Sequence, residues 1–519
     1  MSDEFEAAIA TGYGFEGPAI TFGAAMQGEE ALPKAQVRVP LSMMNRHGLV
    51  AGATGTGKTK TLQVLAEQLS NAGVPVFISD IKGDISGLAA PAVLNEKLTA
   101  RAQAIGMDDY APKAFPVEFL TLDRDGKGVR LRASVSSFGP ILLAKVLDLN
   151  ETQQSVLAMT FKYADDKQLP LINLADLRAL LNHLNSDEGK AEMAEYGGVA
   201  TATAGVIIRK IVELEQQEAD AFFGSPEFDV EHLLRLDGDG RGVVSILELA
   251  DMQDRPALFS TFMMWLLANL YESLPEVGDV EKPKLVFFFD EAHLLFRDAN
   301  KTFMAQIELV ARLIRSKGVG VFFVTHAPTD VPSEVLGQLG NRVQHALRAF
   351  TPDDLATVRA TADTFPTSEF YDLSEELTKL GIGEAIVSAL DPKGRPMPAA
   401  RTMMRPPASL MAQVEPVVFD AVVSASAIAP TYATDTDPES AKELLAARLK
   451  RATEDAEQPM EDVQDPELPG ERRMRPTRAP EKGVDWGKVA TEGGRVVRSG
   501  TFNTILRAIF GVLTGGRRR

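Results

Sequence analysis

Cysteine is absent from this chain of 519 residues. Its absence excludes disulfides, thiolate metal sites, iron–sulfur clusters and cysteine nucleophiles. Long apolar runs are absent too: the most apolar helix-like segment, residues 259–271, is too short to span a bilayer and is interrupted by polar residues such as Thr261 and Asn269. Residues 1–12 lack the cationic and apolar regions of an export signal. We therefore expect a cytoplasmic protein.

A uniformly basic surface is also lacking, because the net charge is −18. This charge argues against a general nucleic-acid-binding coat but leaves a local basic channel open. The charge is uneven near the carboxyl end: residues 415–471 hold 14 acidic and 4 basic residues, whereas residues 482–519 hold 8 basic and 2 acidic ones.

A glycine-rich segment stands between a short apolar run and a helix-like run, which is the setting of a phosphate-binding loop. Glycines let successive N–H groups turn toward an anion at a helix N-terminus. Lys58 is then predicted to reach the β- and γ-phosphates and Thr59 to hold Mg²⁺. The alternative is a Gly/Thr-rich turn, which these flanks disfavour. The predicted nucleotide-binding residues are Gly52, Ala53, Thr54, Gly55, Thr56, Gly57, Lys58, Thr59 and Lys60, the last with its side chain pointing away along the helix.

Strand-like segments alternate with helix-like ones around this loop, which predicts an α/β fold with a mostly parallel central sheet. Residues 139–225 show helical periodicity alone and predict an all-α insertion. We divide the chain into a short β-rich lead-in (1–45), two core parts (46–138 and 226–405) around the insertion, a flexible acidic and Pro-rich linker (406–484) and a basic amphipathic helical tail (485–519). The carboxyl-terminal tail as a whole is predicted to be largely disordered.

The segment from Asp237 to Gly242, with Glu248 at the twelfth position, comes close to a calcium-binding loop. Arg241 stands at the fifth ligand position, however, and a strand-like run follows. The pattern therefore favours a surface turn.

Two adjacent acids, Asp290 and Glu291, follow a strongly apolar strand-like run, residues 285–289. Ligands of parallel sheets bind at the carboxyl ends of the strands. With the phosphate loop upstream, the pair predicts nucleoside triphosphate hydrolysis: Asp290 would bind Mg²⁺ and Glu291 would act as general base toward water. The alternative is a solvated strand end.

Further catalytic groups are expected at the ends of neighbouring strands. His326 closes the next apolar strand and is a candidate γ-phosphate sensor, or else a structural histidine. The reaction also requires a cation besides the loop lysine, often an arginine from a neighbouring subunit. Arg315 and Arg342 are predicted for this role, and Arg312 and Lys317 are further candidates. Each of them is otherwise a surface or ion-pair residue.

The sequence favours ATP over GTP, because no guanine-reading Asn/Thr-Lys-x-Asp segment follows the last strands.

Five segments carry a family resemblance, namely residues 47–59, 80–84, 289–295, 315–320 and 337–348. Together they resemble the HerA-like bacterial ATPases of the YjgR type, within the HerA/FtsK superfamily of motors. The resemblance implies a RecA-like P-loop core, a homo-oligomeric ring, favoured as a hexamer, and ATP with Mg²⁺ bound between subunits. Two features depart from the relatives: His326 replaces a glutamine, and the lead-in is too short for the β-barrel that some of them carry.

These features predict an ATP-driven ring translocase, helicase-like, that acts on DNA. The main alternative is an ATPase that remodels a protein or membrane-associated partner without DNA translocation. A small-molecule kinase is disfavoured, because Glu291 beside Asp290 favours water as the nucleophile. The basic helix of the tail would dock on its own core or a sister subunit, or contact DNA or an anionic membrane.

Overall fold

The computed structural model describes residues 2–249, 256–278, 280–297 and 301–457. No helix within these ranges is both long and apolar enough to cross a membrane. The predicted basic helical tail, 485–519, and the linker residues after 457 lie outside the described residues. The helices are α1 (Ser2–Gly12), α2 (Lys58–Asn71), α3 (Glu96–Ala104), α4 (Val135–Val146), α5 (Glu151–Asp166), α6 (Leu174–Asn185), α7 (Asp187–Met193), α8 (Thr201–Gln216), α9 (Pro256–Ser273), α10 (His293–Arg297), α11 (Lys301–Ile314), α12 (Ser333–Leu336), α13 (Pro352–Ala362), α14 (Leu373–Lys379), α15 (Pro416–Ser424), α16 (Ala429–Tyr432) and α17 (Ala441–Glu457).

The described strands form one 12-stranded sheet in the order β2-β1-β12-β11-β10-β3-β9-β8-β4-β7-β5-β6. From β10 to β6 every neighbouring pair is parallel, and from β10 outward to β2 every pair is antiparallel. The strands are β1 (Ala19–Gln27), β2 (Glu30–Pro40), β3 (Gly48–Ala51), β4 (Val76–Asp80), β5 (Val117–Thr121), β6 (Val129–Arg130), β7 (Val244–Glu248), β8 (Leu285–Phe289), β9 (Val319–Thr325), β10 (Asn341–His345), β11 (Glu384–Ser388) and β12 (Ala400–Met404).

The central strands are buried on both faces, because helices cover the sheet from either side. All residues of β3, β4, β8 and β9 are buried. Alternate side chains therefore enter two cores: Phe287 packs on Phe77 in one, and Phe288 packs on Phe322 in the other. Continuous apolar runs are the pattern expected of parallel strands covered on both faces.

Helices α4 to α8 lie between β6 and β7 in the chain, where the sequence predicts an all-α insertion. Two of them begin with reciprocal capping boxes, Asn150 with Gln153 and Asn173 with Asp176. Their buried side chains belong to the same apolar core as one face of the sheet. These helices thus share the core of the sheet.

The first forty residues extend the sheet. Strand β1 pairs antiparallel with β12 on one side and β2 on the other. The Tyr13 hydroxyl donates to the carbonyl oxygen of Pro398 at 2.7 Å and lies 3.1 Å from that of Val387. The predicted β-rich lead-in is therefore held against the late strands of the core.

The turn at residues 237–242 supports the surface-turn interpretation over the calcium loop. Asp237 accepts hydrogen bonds from the backbone N–H groups of Asp239 and Arg241 and forms an ion pair with the Arg241 side chain. Its carboxylate oxygens are thus used within the turn.

The structure differs from the predicted flexible linker, which begins at residue 406. Phe419 stacks on Phe119 with ring centroids 4.0 Å apart, and Tyr432 is 3% exposed. The Ser440 hydroxyl at the start of α17 donates to buried Asp176. The acidic composition of this segment concealed scattered apolar residues, and these anchor its helices to the core as far as Leu445.

We expect Tyr432→Ala to destabilise the protein by about 2–4 kcal/mol. The substitution removes a buried ring that packs on Phe228 and a hydroxyl oxygen that accepts a hydrogen bond from the Asp229 N–H. Val417→Ala is the matched control in the same segment: Val417 is 74% exposed, and its truncation should change stability by less than about 0.5 kcal/mol. Urea unfolding measures both. Equal effects of the two substitutions would contradict the packing of this segment.

Candidate active site

The order β3-β9-β8-β4 brings four chain segments to one edge of the sheet. Ala51 at the end of β3 lies beside Thr325 of β9, and Phe289 of β8 lies between Phe323 and Ser79. The segments that follow these parallel strands carry the phosphate loop, His326, the acid pair and residues 81–85. Parallel alignment therefore assembles the predicted site residues side by side.

The phosphate loop is pinned to its neighbours through its backbone. The Gly52 N–H lies 3.2 Å from the Thr325 carbonyl oxygen, and the Ala53 N–H donates to the Ala346 carbonyl oxygen at 2.9 Å. A Cβ at Gly52 would stand 2.5 Å from the Cβ of His345, so only glycine fits there. Gly57, with φ of 119°, turns the chain into α2, whose first turn carries Lys58, Thr59 and Lys60. Thr54 and Gly55 at the tip are exposed.

The Lys58 side chain folds back over the loop. Its ammonium donates to the carbonyl oxygens of Gly52 at 2.6 Å and Ala53 at 3.3 Å, and lies 3.5 Å from Nδ1 of His326. Burial lowers the pKa of Lys58, and the negative charge of Glu291 opposes that shift. A phosphate would supply the counter-charge that the loop carbonyls only partly provide, so the residues fit a bound anion.

Asp290 is 3% exposed, and its Oδ2 atom is buried without a hydrogen-bond partner among the described residues. Burial, together with the neighbouring Glu291 charge, raises the pKa of Asp290 to about 7. A cation beside Oδ2 would offset this burial of negative charge. Asp290 and the half-buried Thr59 at the start of α2 are therefore the residues that would hold Mg²⁺.

Glu291 stands at the centre of a charged cluster. Its Oε1 pairs with the Lys82 ammonium, and its Oε2 lies 3.3 Å from Nε2 of His326 and 3.3 Å from Nδ1 of His293. Burial would raise the pKa of Glu291, but the Lys82 pair reverses the shift and lowers it. A carboxylate held ionised in this way can accept a proton from water. The structure thus brings Lys58, His326 and Glu291 into one chain of contacts.

Sequence reasoning assigned no role to Lys82. Lys82 lies in the loop after β4. There the Asp80 carboxylate accepts hydrogen bonds from the backbone N–H groups of Lys82 at 3.1 Å, Gly83 at 2.8 Å and Ile85 at 2.9 Å. These bonds shape the loop, so that the lysine reaches across to β8. The Asp-Ile-Lys-Gly-Asp segment was the available signal, but the contact depends on β4 and β8 being neighbours.

Lys60 points toward the β4 loop. Its ammonium is buried without a hydrogen-bond partner in the described part of the chain. Burial lowers the pKa of Lys60, and the charges of Asp84 and Asp80 oppose the shift. This orientation agrees with a side chain that points away from the phosphate loop, and a contact between Lys60 and nucleotide stays a prediction.

The candidate trans-acting cations lie away from this edge of the sheet. Arg315 and Lys317 form the turn before β9, at its amino end, and Lys317 lies over the Tyr271 ring. Arg342 is in β10, beside Leu49, with its guanidinium close to the carbonyl oxygens of Thr364 and Leu336. Burial lowers the pKa of Arg342. The structure therefore brings none of these cations to the site of the same chain.

A third acid, Glu248, ends β7 directly beside Asp80. Its Oε1 atom is buried without a hydrogen-bond partner among the residues that the structure covers. Burial, with Asp80 nearby, raises the pKa of Glu248 to about 8, and burial raises that of Asp80 to about 6. Only the strand order places these two acids together, so sequence reasoning missed the pair.

Comparisons with known proteins agree with this architecture. A family profile described as helicase HerA-like C-terminal matches residues 26–519. The DNA double-strand break repair helicase HerA of Sulfolobus acidocaldarius is 23% identical over 365 residues, covering 68% of this chain and 64% of that protein. HerA of Saccharolobus solfataricus is 22% identical over 364 residues, covering 68% and 63%. This chain thus spans slightly less than two thirds of the length of these relatives.

The plasmid coupling protein TrwB, solved in complex with the non-hydrolysable GTP analogue GDPNP, is similar in structure. The TM-score is 0.50 at 16% identity, with 77% of this chain and 98% of that chain covered. This likeness confirms the predicted α/β fold with its mostly parallel sheet.

The pH dependence of stability should reveal the raised pKa of the Glu248 carboxyl group. Its folded pKa, about 8, lies above its ordinary value of 4.5, so between these values the folded state binds more protons and stability falls as pH rises. The Glu248→Gln substitution removes the titrating carboxyl group and therefore removes this loss of stability at high pH. We expect its stability relative to the unsubstituted protein to increase by about 1–3 kcal/mol between pH 5 and pH 8, measured by urea unfolding.

The matched control is Glu118→Gln. Glu118 is a buried strand acid paired with Arg235 at 2.7 Å, so losing its charge should destabilise the protein instead. A Glu248→Gln variant whose stability follows that of the unsubstituted protein at every pH would contradict the interpretation.

Proposed function

Because this chain belongs to the family described as helicase HerA-like C-terminal, we propose that it is an oligomeric ATPase motor of the HerA/FtsK type that hydrolyses ATP with Mg²⁺ and translocates DNA. The observation that carries the proposal is the contact chain from Lys58 through His326 to Glu291. It joins the phosphate loop to the acid pair across β9. Such a site needs few other parts, since positioning and electrostatics dominate phosphoryl transfer.

In the proposed reaction, N–H groups of the loop tip and of the start of α2 face the phosphates, and Lys58 leaves the loop carbonyls to contact the β- and γ-phosphates. Bound Mg²⁺ would neutralise phosphate charge as bond breaking proceeds. Glu291 accepts a proton from the attacking water. Lys82 holds the Glu291 carboxylate in place and keeps it ionised until that transfer.

His326 is positioned to sense the γ-phosphate, because it contacts both Lys58 and Glu291. Withdrawal of the Lys58 ammonium onto phosphate frees the Nδ1 atom of His326. The histidine can then reorient its hydrogen bonds and report the nucleotide state along β9. In this respect it would replace the glutamine expected at this position.

The proposed oligomer is a ring, favoured as a hexamer, in which a neighbouring subunit completes the active site. A cation from that neighbour would stabilise the charge that develops on the γ-phosphate. Arg315, in the turn before β9, and Arg342, in β10, are the predicted arginines. To reach a neighbouring subunit, the Arg342 guanidinium would have to leave the carbonyl oxygens of its own chain. The cytoplasmic location stays a prediction.

One observation favours the alternative, an ATPase that remodels a protein or membrane-associated partner. The chain carries a net charge of −18, whereas affinity for DNA depends largely on basic groups facing phosphates. If the protein translocates DNA despite this net charge, its basic residues must be concentrated in the ring channel.

Replacing the proposed base tests the chemistry. Glu291→Gln should lower ATP turnover at least about 100-fold, because the amide cannot accept the proton, while nucleotide affinity stays within a few fold. Lys58→Ala should lose both binding and turnover. Glu334→Gln, at an exposed carboxylate on α12, is the matched control and should keep full turnover. Phosphate release and fluorescent-nucleotide titration measure these quantities; full turnover in Glu291→Gln would refute its role.

DNA stimulation separates the two functions. Duplex or single-stranded DNA at low salt should raise the ATPase rate of the purified oligomer several-fold, and DNA binding should weaken as salt rises. Glu291→Gln should bind DNA equally well without stimulation. An unchanged rate with DNA, together with no salt-sensitive binding, would reject the translocase in favour of the partner-remodelling ATPase.

A further inference from the structure

One carboxylate oxygen of Glu291 and one ring nitrogen from each of two histidines converge at the edge of the sheet. Oε2 of Glu291 stands 3.3 Å from both Nδ1 of His293 and Nε2 of His326, and ligand atoms of the three residues lie within 4.8 Å of one another. Both Glu291 Oε2 and His293 Nδ1 are buried, yet neither has a hydrogen-bond partner of acceptable geometry among the described residues. Buried polar atoms are normally satisfied, so this pair requires an explanation.

The two carboxylate–imidazole spacings are those of a metal site. In a tetrahedral zinc site with bonds of about 2.0–2.1 Å, neighbouring ligand atoms stand about 3.3–3.4 Å apart. The two carboxylate–imidazole distances match this value. We infer that Glu291, His293 and His326 form a binding site for a divalent transition-metal ion of the zinc class, with a fourth position open to water.

The local structure orients these ligands. Lys82 engages Oε1 of Glu291, which leaves Oε2 facing the histidines. His293 is fixed at the start of α10, and His326 directly follows β9, so neighbouring segments of the sheet edge supply the ligands. The side chains of His293 and His326 are 27% and 42% exposed, so an ion can enter from solvent.

This site is distinct from the proposed Mg²⁺ site in its ligands and its selectivity. Mg²⁺ prefers oxygen ligands in octahedral geometry, which Asp290 and Thr59 can supply. Imidazole nitrogens favour zinc and the later first-row metals. The chain lacks cysteine, so no thiolate competes for such an ion.

The other histidines offer little competition. Both ring nitrogens of His47 are engaged with the backbone of Ala311 and Val321. Both ring nitrogens of His345 are engaged with Thr61 and Glu384. His183 has one carboxylate partner, Glu192, at 3.5 Å. His232 contacts the carbonyl oxygen of Asp229 at 3.2 Å.

The metal site has a consequence that rests on the proposed function. An ion on Oε2 would occupy the oxygen of Glu291 that faces away from Lys82, and the carboxylate could then no longer accept a proton from water. Binding through Nε2 of His326 also requires the ring proton on Nδ1, which faces the Lys58 ammonium at 3.5 Å. Nucleotide that draws Lys58 onto phosphate would therefore tighten metal binding.

The test measures metal binding itself, using the full chain without a histidine tag. Zn²⁺ is titrated against a chromophoric chelator in millimolar Mg²⁺, with and without ADP, and Co²⁺ is titrated by its visible absorption. We expect one Zn²⁺ per chain, at least tenfold weaker binding in His293→Gln and in His326→Gln, and loss of the Co²⁺ bands in both. His183→Gln is the matched control and should bind as the unsubstituted chain does.

Anomalous diffraction at the zinc edge locates the ion even if one variant fails to fold, and circular dichroism checks folding. Density between the three ligands would support the site. Absence of stoichiometric binding, binding that neither histidine substitution weakens, or zinc located elsewhere would overturn it. Because these readouts need no ATP hydrolysis, failure of the metal site and failure of the ATPase proposal are distinguishable.

Discussion

The parallel alignment of β3, β9, β8 and β4 is the constraint on which the site depends. Each strand contributes only a few residues at its carboxyl end, and none of these segments could act alone. Because hydrogen bonding fixes the register, Ala51 and Thr325 end side by side, and the Asp290 N–H meets the Ser79 carbonyl oxygen at 3.3 Å. Two apolar cores, one on each face of the sheet, keep this edge in place. A site spread over distant parts of the chain thereby becomes rigid.

The same edge holds groups that a structure built for stability alone would avoid. Asp290 and Glu248 are buried with raised pKa values, and the Lys60 ammonium is buried without a hydrogen bond in the described part of the chain. Isolated buried charge is unfavourable, and nearby opposite charge offsets it only in part. Groups in this state gain most from a ligand of the opposite sign. Binding of nucleotide and a cation at this edge would therefore offset the cost of burying these groups.

Local patterns were sufficient for some features and insufficient for others. The phosphate loop and the acid pair could be read from the sequence, because each is a short segment whose chemistry depends on adjacent residues. Lys82 and Glu248 could not, since their roles arise only when β4 lies between β8 and β7. The prediction of a flexible linker after residue 405 differs from the structure for another reason. The composition of this segment is polar on average, but a few apolar residues such as Phe419 and Tyr432 pack it against the core. Composition averages over residues, whereas packing depends on individual ones.

His326 contacts both the phosphate loop and the acid pair. Glutamine would offer one amide oxygen and one amide nitrogen to the neighbours of this site, and neither binds zinc strongly. Histidine offers two distinct nitrogens on a rigid ring, so one can face Lys58 while the other faces Glu291. The side chain that links the phosphate loop to the proposed general base is thereby also a ligand of the proposed metal site. Because His293 stands on the other side of the same carboxylate oxygen, the change of one residue in the sensor position is enough to complete a three-ligand set.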